Sequence, residues 1–189
     1  TYLGPGTTTA GVFTPSIAGV GNHTIWYKFV TPNGCSDSVS QTILVKAKPV
    51  VSYTYPLGGC LPPNGLAQFN GAASLADAQT VSTWAWNFND PNANAGNPNT
   101  SGLQNPTHNF TANGIYNVLL TVTSSGGCTG DTTIALNFNI KPSLNYPPLN
   151  SVCQNVGGTI SVATATVTNG ATGTGTYLGP GTTTAGIFT

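Results

Sequence analysis

Charged side chains are what this sequence has least of. Only 4% of its 189 residues are charged, and the formal net charge is zero, whereas about a quarter of the residues of an ordinary globular chain are charged. A chain with no positive excess has no electrostatic reason to bind nucleic acid or an anionic membrane surface. We therefore expect neither of these partners.

Methionine, glutamate and long apolar runs are missing as well. No stretch approaches the roughly 18 apolar residues of a membrane-spanning helix, and no charged segment followed by an apolar one marks a secretion signal. We expect no membrane span, and we expect the sequence to be an internal part of a longer mature protein. Four scattered Asp residues and no Glu leave little material for hydrolysis by paired carboxylates, so we expect no enzyme.

Helical periodicity is absent, and strand-forming residues take its place. Residues 25–30 and 116–122 are rich in β-branched and aromatic side chains, and clusters of Gly, Pro and Asn separate such runs. Gly, Pro and Thr interrupt every candidate helix. The sequence therefore predicts an all-β fold.

The two ends of the sequence are nearly identical. Residues 1–14 read TYLGPGTTTAGVFT and residues 176–189 read TYLGPGTTTAGIFT, so only Val12 differs, as Ile187. The sequence thus restarts after a period of 175 residues. A match of this length predicts a repeat protein whose units form an extended array.

A weaker internal repeat divides each unit into two modules. The proline of each Lys-Pro pair, at 48–49 and 141–142, follows one cysteine by 14 residues and precedes another by 11. We expect residues 49–141 to form one β-sandwich. Residues 1–48 are expected to be the C-terminal part of a second sandwich, and residues 142–189 the N-terminal part of the next one.

The module boundaries predict how the four cysteines pair. Cys60 and Cys128 lie early and late in one module and are expected to form a disulfide. Cys153 is expected to pair with the equivalent of Cys35 in the adjacent repeat; free buried thiols are the alternative. Metal binding is less favoured, because the chain has no CxxC motif and no His close in sequence to a cysteine. Paired cysteines in small β modules predict an extracellular or cell-surface protein.

Three motifs of the central module resemble the PKD domain. Residues 86–90 read WNFND, residues 105–110 read NPTHNF and residues 114–122 read GIYNVLLTV, where the family has WDFGDG, NPTHTY and GTYTVTLTV. Asn87 replaces the first Asp, and an insertion, residues 91–104, follows the motif. The resemblance covers residues 49–141 and implies an Ig-like β-sandwich of about seven strands. It also implies that His108 is a turn residue.

The other module resembles the Ig-like repeats of large secreted surface and adhesin proteins of the Bacteroidetes type. The similarity rests on residues 18–25 (AGVGNHTI), residues 31–35 (TPNGC) and the strand at 43–45. In these families such modules are mostly spacers, stalks and adhesive segments of very long chains. Within the module, His23 has the position that Tyr116 has in the central one, and we expect it to be a structural corner of the sandwich.

Asp90, Asn92 and Asn94 place oxygen atoms on alternate residues, as at the start of a calcium loop. An EF-hand-like loop then needs Gly at position six and Glu at twelve, where this chain has Ala95 and Ser101. The three residues are weak calcium candidates, and we expect no cofactor.

Several side chains are candidates for surface contacts or modification. Trp84, Trp86 and Phe88 share one face of a predicted strand and are expected in the core. Three side chains are predicted to point outward, where they would contact a neighbouring module or a ligand such as a glycan: Trp26, Lys28 and Leu119. The tripeptides at 37–39 and 131–133 resemble the Asp-Ser/Thr-apolar O-glycosylation motif of Bacteroidetes surface proteins, which makes Ser38 and Thr132 candidates, with a shared strand start as the alternative.

Two functional hypotheses follow. The first is a structural unit of an extracellular fibre, filament or adhesin stalk, whose partners are adjacent copies of the repeat joined head to tail. The second is an adhesive module that binds a surface glycan or protein through exposed aromatic side chains. The low charge and the repetition favour the first, because a module that binds in every unit needs a denser polar site.

Overall fold

The computed structural model describes residues 1–55, 59–61, 63–154 and 157–188. Within these ranges the chain is all-β apart from a helical turn at Pro15–Ala18 and a 3₁₀ turn at Pro63–Gly65, which confirms the predicted fold class. Residues 56–58, 62 and 155–156, which belong to the predicted modules, and Thr189, which ends the repeated segment, lie outside the described residues.

The N-terminal segment is a single three-stranded antiparallel sheet. Its strands are β1 (Tyr2–Leu3), β2 (Gly21–Val30) and β3 (Ser36–Val45), and they lie in the order β1-β2-β3. Strand β1 reaches only two residues of β2, since Tyr2 pairs with Tyr27 and Leu3 with Trp26. No residue from 1 to 45 is buried, so this sheet has no core of its own.

The described residues of the central segment form eight strands: β4 (Val50–Thr54), β5 (Leu66–Gln68), β6 (Asn70–Ser74), β7 (Val81–Asn87), β8 (Thr100–Ser101), β9 (Thr107–Asn109), β10 (Gly114–Ser124) and β11 (Thr129–Phe138). Strand β12 (Leu144–Asn145) lies just beyond them. Strands β11-β10-β7-β8 form one antiparallel sheet, and the pairs β4-β6 and β5-β9 lie opposite it. These are the two layers of a β-sandwich.

The core fills the space between these layers. Alternate residues of β10 point inward, and Tyr116, Val118, Leu120 and Val122 are all buried, as the period of two in a strand requires. Aromatic side chains supply most of the remaining volume: Tyr53, Phe69, Trp86, Phe88, Phe110 and Phe138. Trp86 and Phe88 are therefore core residues as predicted, and partly buried Trp84 packs against the same cluster.

In the C-terminal segment, the described residues form only short strand pairs. Strand β12 pairs with β14 (Thr166–Val167), and β13 (Ile160–Ser161) pairs with β15 (Ile187–Phe188). Most of the described side chains from 142 to 187 are exposed. Like the N-terminal sheet, this segment lacks a covering layer.

Hairpin β2-β3 reproduces hairpin β10-β11 with a shift of 93 residues. The first pairs Gly21 with Val45 through to Val30 with Ser36, and the second pairs Gly114 with Phe138 through to Thr123 with Thr129. Both turns contain a glycine in the left-handed region, at φ 85° for Gly34 and 84° for Gly127, where other residues are strained.

The corner preceding each hairpin is also shared. The Nε2 atom of His23 lies 2.8 Å from the carbonyl oxygen of Gly19, and the hydroxyl of Tyr116 donates to the carbonyl of Ala112 at 2.9 Å. Each bond spans four residues. His23 is thus a structural corner, as its equivalence with Tyr116 predicted.

The duplicated 14-residue segment folds in the same way at both ends. The amide of Thr8 donates to the carbonyl of Val12 at 2.9 Å, and the amide of Thr183 donates to that of Ile187 at 2.8 Å. The copies differ in their strand pairing. Tyr2–Leu3 forms a strand beside β2, whereas the identical residues 177–178 form none. Conversely, Ile187–Phe188 pairs with β13, whereas the equivalent residues 12–13 form no strand.

Candidate functional site

The central sandwich holds one buried pair of ionisable groups. The Nε2 atom of His108 lies 3.0 Å from Oδ2 of Asp90, and both side chains are almost inaccessible to solvent. The His108 ring stacks on Phe88 with centroids 4.2 Å apart and meets Phe110 edge-on at 4.7 Å. Because aromatic rings seal this pair from solvent, it is placed for packing rather than for acid-base chemistry on a substrate. His108 lies in strand β9, so its prediction as a turn residue is wrong.

The proposed calcium ligands have separate hydrogen-bonding roles. The Oδ1 atom of Asp90 accepts the amide of Asn92 at 2.9 Å, and Oδ2 faces His108. The Oδ1 atom of Asn94 accepts the amides of Gly96 at 2.9 Å and Asn97 at 3.2 Å. Asn and Asp bonds of this kind stabilise turns. Asp90 is buried while Asn92 and Asn94 are exposed, and the described part of the chain has no cluster of three His, Cys, Asp or Glu side chains. The three residues stay weak calcium candidates.

Tyr53 joins the two layers of the sandwich, a role that the sequence did not reveal. Its hydroxyl donates to the carbonyl of Val118 at 2.6 Å and accepts the amide of Ile134 at 3.1 Å. Burial raises the pKa of Tyr53 from 10.0 to about 12, although the bond from Ile134 acts in the opposite direction. Nothing in the sequence around Tyr53 distinguishes it from other strand tyrosines. The contact becomes visible only when the opposite sheet is in place.

Asp77 connects the linker between the modules to the central sandwich. Its Oδ2 atom accepts the amide of Ala47 at 2.8 Å and the side-chain amide of Gln79 at 2.6 Å. The bond from Ala47, with those from Gln79, lowers the pKa of Asp77 below its ordinary value, against a smaller effect of burial. Lys46 adds a second connection, since its Nζ donates to the carbonyl of Gly126 at 3.1 Å. The sequence does not reveal this connection, because the partners are distant in sequence.

The predicted disulfide between Cys60 and Cys128 is wrong. Both are free thiols, as are Cys35 and Cys153. Cys60 pairs with Asn139, just after the end of β11, whereas Cys128 lies just before its start. A ten-residue strand rising about 3.3 Å per residue separates them by about 30 Å, far beyond the roughly 7 Å limit between bridged Cα atoms.

The predicted pairing of Cys153 with Cys35 of an adjacent repeat used the same reasoning, but it joins two repeats and stays a prediction. Cys35 follows the β2-β3 turn just as Cys128 follows the β10-β11 turn. The amide of Cys35 bonds to Oγ1 of Thr31 at 3.1 Å, and that of Cys128 to Oγ of Ser124 at 3.2 Å. Cys35 therefore has the position in its hairpin that Cys128 has in the central sandwich.

The side chains predicted to make surface contacts or to be modified are all at least partly exposed. Trp26 is 45% exposed on the outer face of β2, where Lys28 is also exposed, and Leu119 is half-buried at the equivalent position of β10. Ser38 is exposed on β3, and its amide bonds to Oδ1 of Asp37 at 2.8 Å. Thr132 is half-buried on β11. The register makes Ser38 equivalent to Asp131 rather than to Thr132, so the two glycosylation candidates lie on opposite faces of their hairpins.

No helix among the described residues has the length and apolar character to cross a membrane. Residues 47–139 match the PKD domain family, which confirms the resemblance of the central module to within two residues at either end. Among solved structures, the PKD1 domain of Vibrio anguillarum Epp is similar, with 23% sequence identity and a TM-score of 0.41 over 51% of this chain and 99% of that one. No curated protein matches the chain.

Proposed function

We propose that this chain, whose residues 47–139 form a PKD domain, is a non-enzymatic structural repeat unit of an extracellular fibre, filament or adhesin stalk. PKD domains are non-catalytic Ig-like modules and typically extracellular structural or adhesive ones. The observation that carries the proposal is the 14-residue segment that recurs 175 residues later with the same turn. Units that repeat in sequence and in local fold join head to tail into an array.

The distribution of ionisable groups supports a structural role. Asp90 and His108 are paired in the core, and Asp77 holds the inter-module linker. Asp37 bonds to the amide of the next residue, and exposed Asp131 lies opposite Thr121 near the turn of the β10-β11 hairpin. The groups thus stabilise turns and packing at separate places, where a catalytic site needs several of them at one place.

Trp26 supports the second candidate function. Its ring is half exposed on the outer face of β2, next to the exposed Lys28. An exposed aromatic ring beside a cation is suited to a glycan or protein surface. The structural role is preferred because Leu119, at the equivalent position of the PKD domain, is a plain apolar residue.

Two measurements separate these functions. Antibodies against the recombinant chain should label filaments or the cell surface of the producing organism in electron microscopy; labelling confined to the cell interior contradicts the structural proposal. The chain should not bind to a glycan array. Reproducible glycan binding that is lost in Trp26→Ala, but not in Leu119→Ala, would favour the adhesive function.

A further inference from the structure

The N-terminal sheet corresponds to one layer of the PKD sandwich. Hairpin β2-β3 has the register of β10-β11, and β1 has the place of β7 beside it. Tyr2 faces Tyr27 as Trp86 faces Leu120, and Tyr27 and Leu120 are related by the same shift of 93 residues. Strand β1 is therefore the end of a β7-like strand, but it covers only two residues of β2, whereas β7 pairs with six of β10.

The C-terminal segment corresponds to the opposite layer. Leu144 of β12 pairs with Val167 of β14 as Val51 of β4 pairs with Ala73 of β6. Likewise β13 pairs with β15 in the way that β5 pairs with β9. The chain thus carries the two layers of a second sandwich at its opposite ends.

Tyr146 is the C-terminal counterpart of Tyr53, since each follows the proline of a Lys-Pro pair by four residues. The Tyr53 ring meets Trp86 at 5.0 Å and 65°. The Tyr146 ring meets Tyr177 at 6.1 Å and 63°, and Tyr177 repeats Tyr2, the counterpart of Trp86. The same aromatic pair is therefore built twice, once inside a complete sandwich and once in half of one.

The inner faces of both terminal layers are uncovered. Tyr27 is 39% and Phe29 57% exposed, where their counterparts Leu120 and Val122 are fully buried. Tyr146 is 49% exposed, where Tyr53 is 5% exposed. The C-terminal segment has an open apolar groove of about 1130 Å³ whose lining includes Leu144, Tyr146, Val162, Val167, Tyr177 and Leu178. Apolar faces of this kind need a second layer.

We propose that the C-terminal layer of one copy, residues 142–154 and 157–175, packs on the N-terminal sheet of a second copy and completes a PKD-like sandwich at the junction. This inference rests on the proposed repeat-array function and identifies the contact that holds the array together. The Tyr146 hydroxyl of one copy donates to the carbonyl of Ile25 and accepts the amide of Gln41 of the next, as Tyr53 does with Val118 and Ile134.

The register also specifies how the β7-like strand continues. Where Thr176 of one unit is Thr1 of the next, residues 172–175 extend along β2 past Tyr27. Gly175 then faces Phe29 and Thr174 faces Val30, as Trp84 faces Val122 and Thr83 faces Thr123. Thr1 lies beside β2 at the point where the residues 172–175 would join. The Thr1 ammonium donates to the carbonyl of Lys28 at 2.8 Å, and the amide of Lys28 donates to the carbonyl of Thr1 at 2.8 Å.

The difference between the two copies of the repeated segment agrees with this arrangement. Tyr2–Leu3 is a strand where β2 lies beside it, and residues 177–178 are irregular where no such hairpin follows. Leu178 is 88% exposed and Leu3 only 49%. The missing neighbour of the C-terminal copy is therefore a β2-like strand.

The first test uses the full chain and two variants matched in exposure. Phe29 is 57% exposed on the inner face of the N-terminal sheet, and Leu44 is 56% exposed on the outer face. In sedimentation velocity the parent chain should associate reversibly with rising concentration. Phe29→Asp should weaken association at least about tenfold, because it buries a charge in an apolar interface, and Leu44→Asp should leave it unchanged. A parent that stays monomeric at millimolar concentration, or equal behaviour of both variants, overturns the proposal.

The second test joins two units in register, so that Thr176 of the first is Thr1 of the second. Amide exchange at Phe29 and Val30 of the second unit should slow at least about tenfold relative to the single chain, because these amides enter a packed sheet. Tyr146→Phe in the first unit should reverse much of this effect, and Tyr177→Phe in the last, unpaired half should not. Unchanged exchange at Phe29 and Val30 overturns the inference, whereas failure of the proposed function itself would appear as intracellular labelling or glycan binding.

Discussion

At the scale of single residues, the buried side chains of Asp90, His108 and Tyr53 bond to other groups of the PKD domain. Asp90 bonds to His108 and to the amide of Asn92, and the Tyr53 hydroxyl bonds to both strands of the β10-β11 hairpin. A buried polar group without a partner destabilises a fold. These side chains are therefore parts of the framework, and substituting them should change stability.

The Asp90–His108 pair gives the first prediction. Asp90→Ala should lower the free energy of unfolding of the PKD domain by about 3 kcal/mol, because it leaves the buried imidazole without its partner. Urea unfolding followed by tryptophan fluorescence measures the change. Asp131→Ala removes an exposed carboxylate from the same sandwich and should cost less than about 0.5 kcal/mol. Equal losses in the two variants would show that the pair contributes nothing specific.

Tyr53 gives a pH-dependent prediction. Since burial raises its pKa from 10.0 to about 12, the unfolded chain loses this proton before the folded chain does. The stabilisation is complete below pH 10 and is lost as the pH rises from 10 to about 12, with a magnitude on the order of 2 kcal/mol. Urea unfolding at several pH values should show this decline, and Tyr53→Phe should show a smaller one. The decline that remains in Tyr53→Phe comes from Tyr116, because burial raises the pKa of that side chain as well. A decline of the same size in Tyr53→Phe is the contrary result.

At the scale of secondary-structure elements, sequence spacing predicted which strands form equivalent hairpins, but it did not predict which cysteines lie close together. The shared spacing of residues 21–35 and 114–128 corresponds to two hairpins with one register, one turn and one corner. Cysteine spacing also suggested a disulfide between Cys60 and Cys128, and that prediction is wrong. Spacing shows that residues belong to one module, but the direction and length of β11 decide at which end of the module each residue lies.

Gly130 gives a prediction at this scale. A Cβ atom at Gly130 would clash with the carbonyl of Pro49, where the chain crosses β11 to enter β4. The equivalent residue of the other hairpin is Asp37, which is exposed. Gly130→Asp should therefore destabilise the PKD domain by more than about 2 kcal/mol, and Asp37→Gly should leave its unfolding midpoint unchanged. Thermal unfolding measures both, and tolerance of Gly130→Asp would show that Pro49 can move away.

At the scale of the whole molecule, the period of 175 residues and the Lys-Pro boundaries were visible in the sequence, and the PKD domain lies within two residues of the predicted limits. The hydrogen-bond partners of Tyr53 and the bond between Asp77 and Ala47 were not visible in the sequence. Both join residues at least 30 positions apart, and nothing in their local sequence distinguishes them from ordinary strand and turn residues. Local patterns thus predict the modules, whereas the contacts that join layers and modules appear only in three dimensions.

Hydrogen exchange offers a whole-molecule prediction. Hairpins β2-β3 and β10-β11 each have ten residue pairs in the same register, but only the second is covered by another layer. At low micromolar concentration, amides of β10 such as Val118 and Leu120 should exchange only through global unfolding of the PKD domain. The equivalent amides of Ile25 and Tyr27 should exchange at least about 100-fold faster, since a hairpin without a covering layer opens locally. Exchange measured by NMR tests this, and Leu120→Ala should bring the β10 amides closer to those of β2. Equal protection in the parent would mean that pairing alone, without a second layer, stabilises these hairpins.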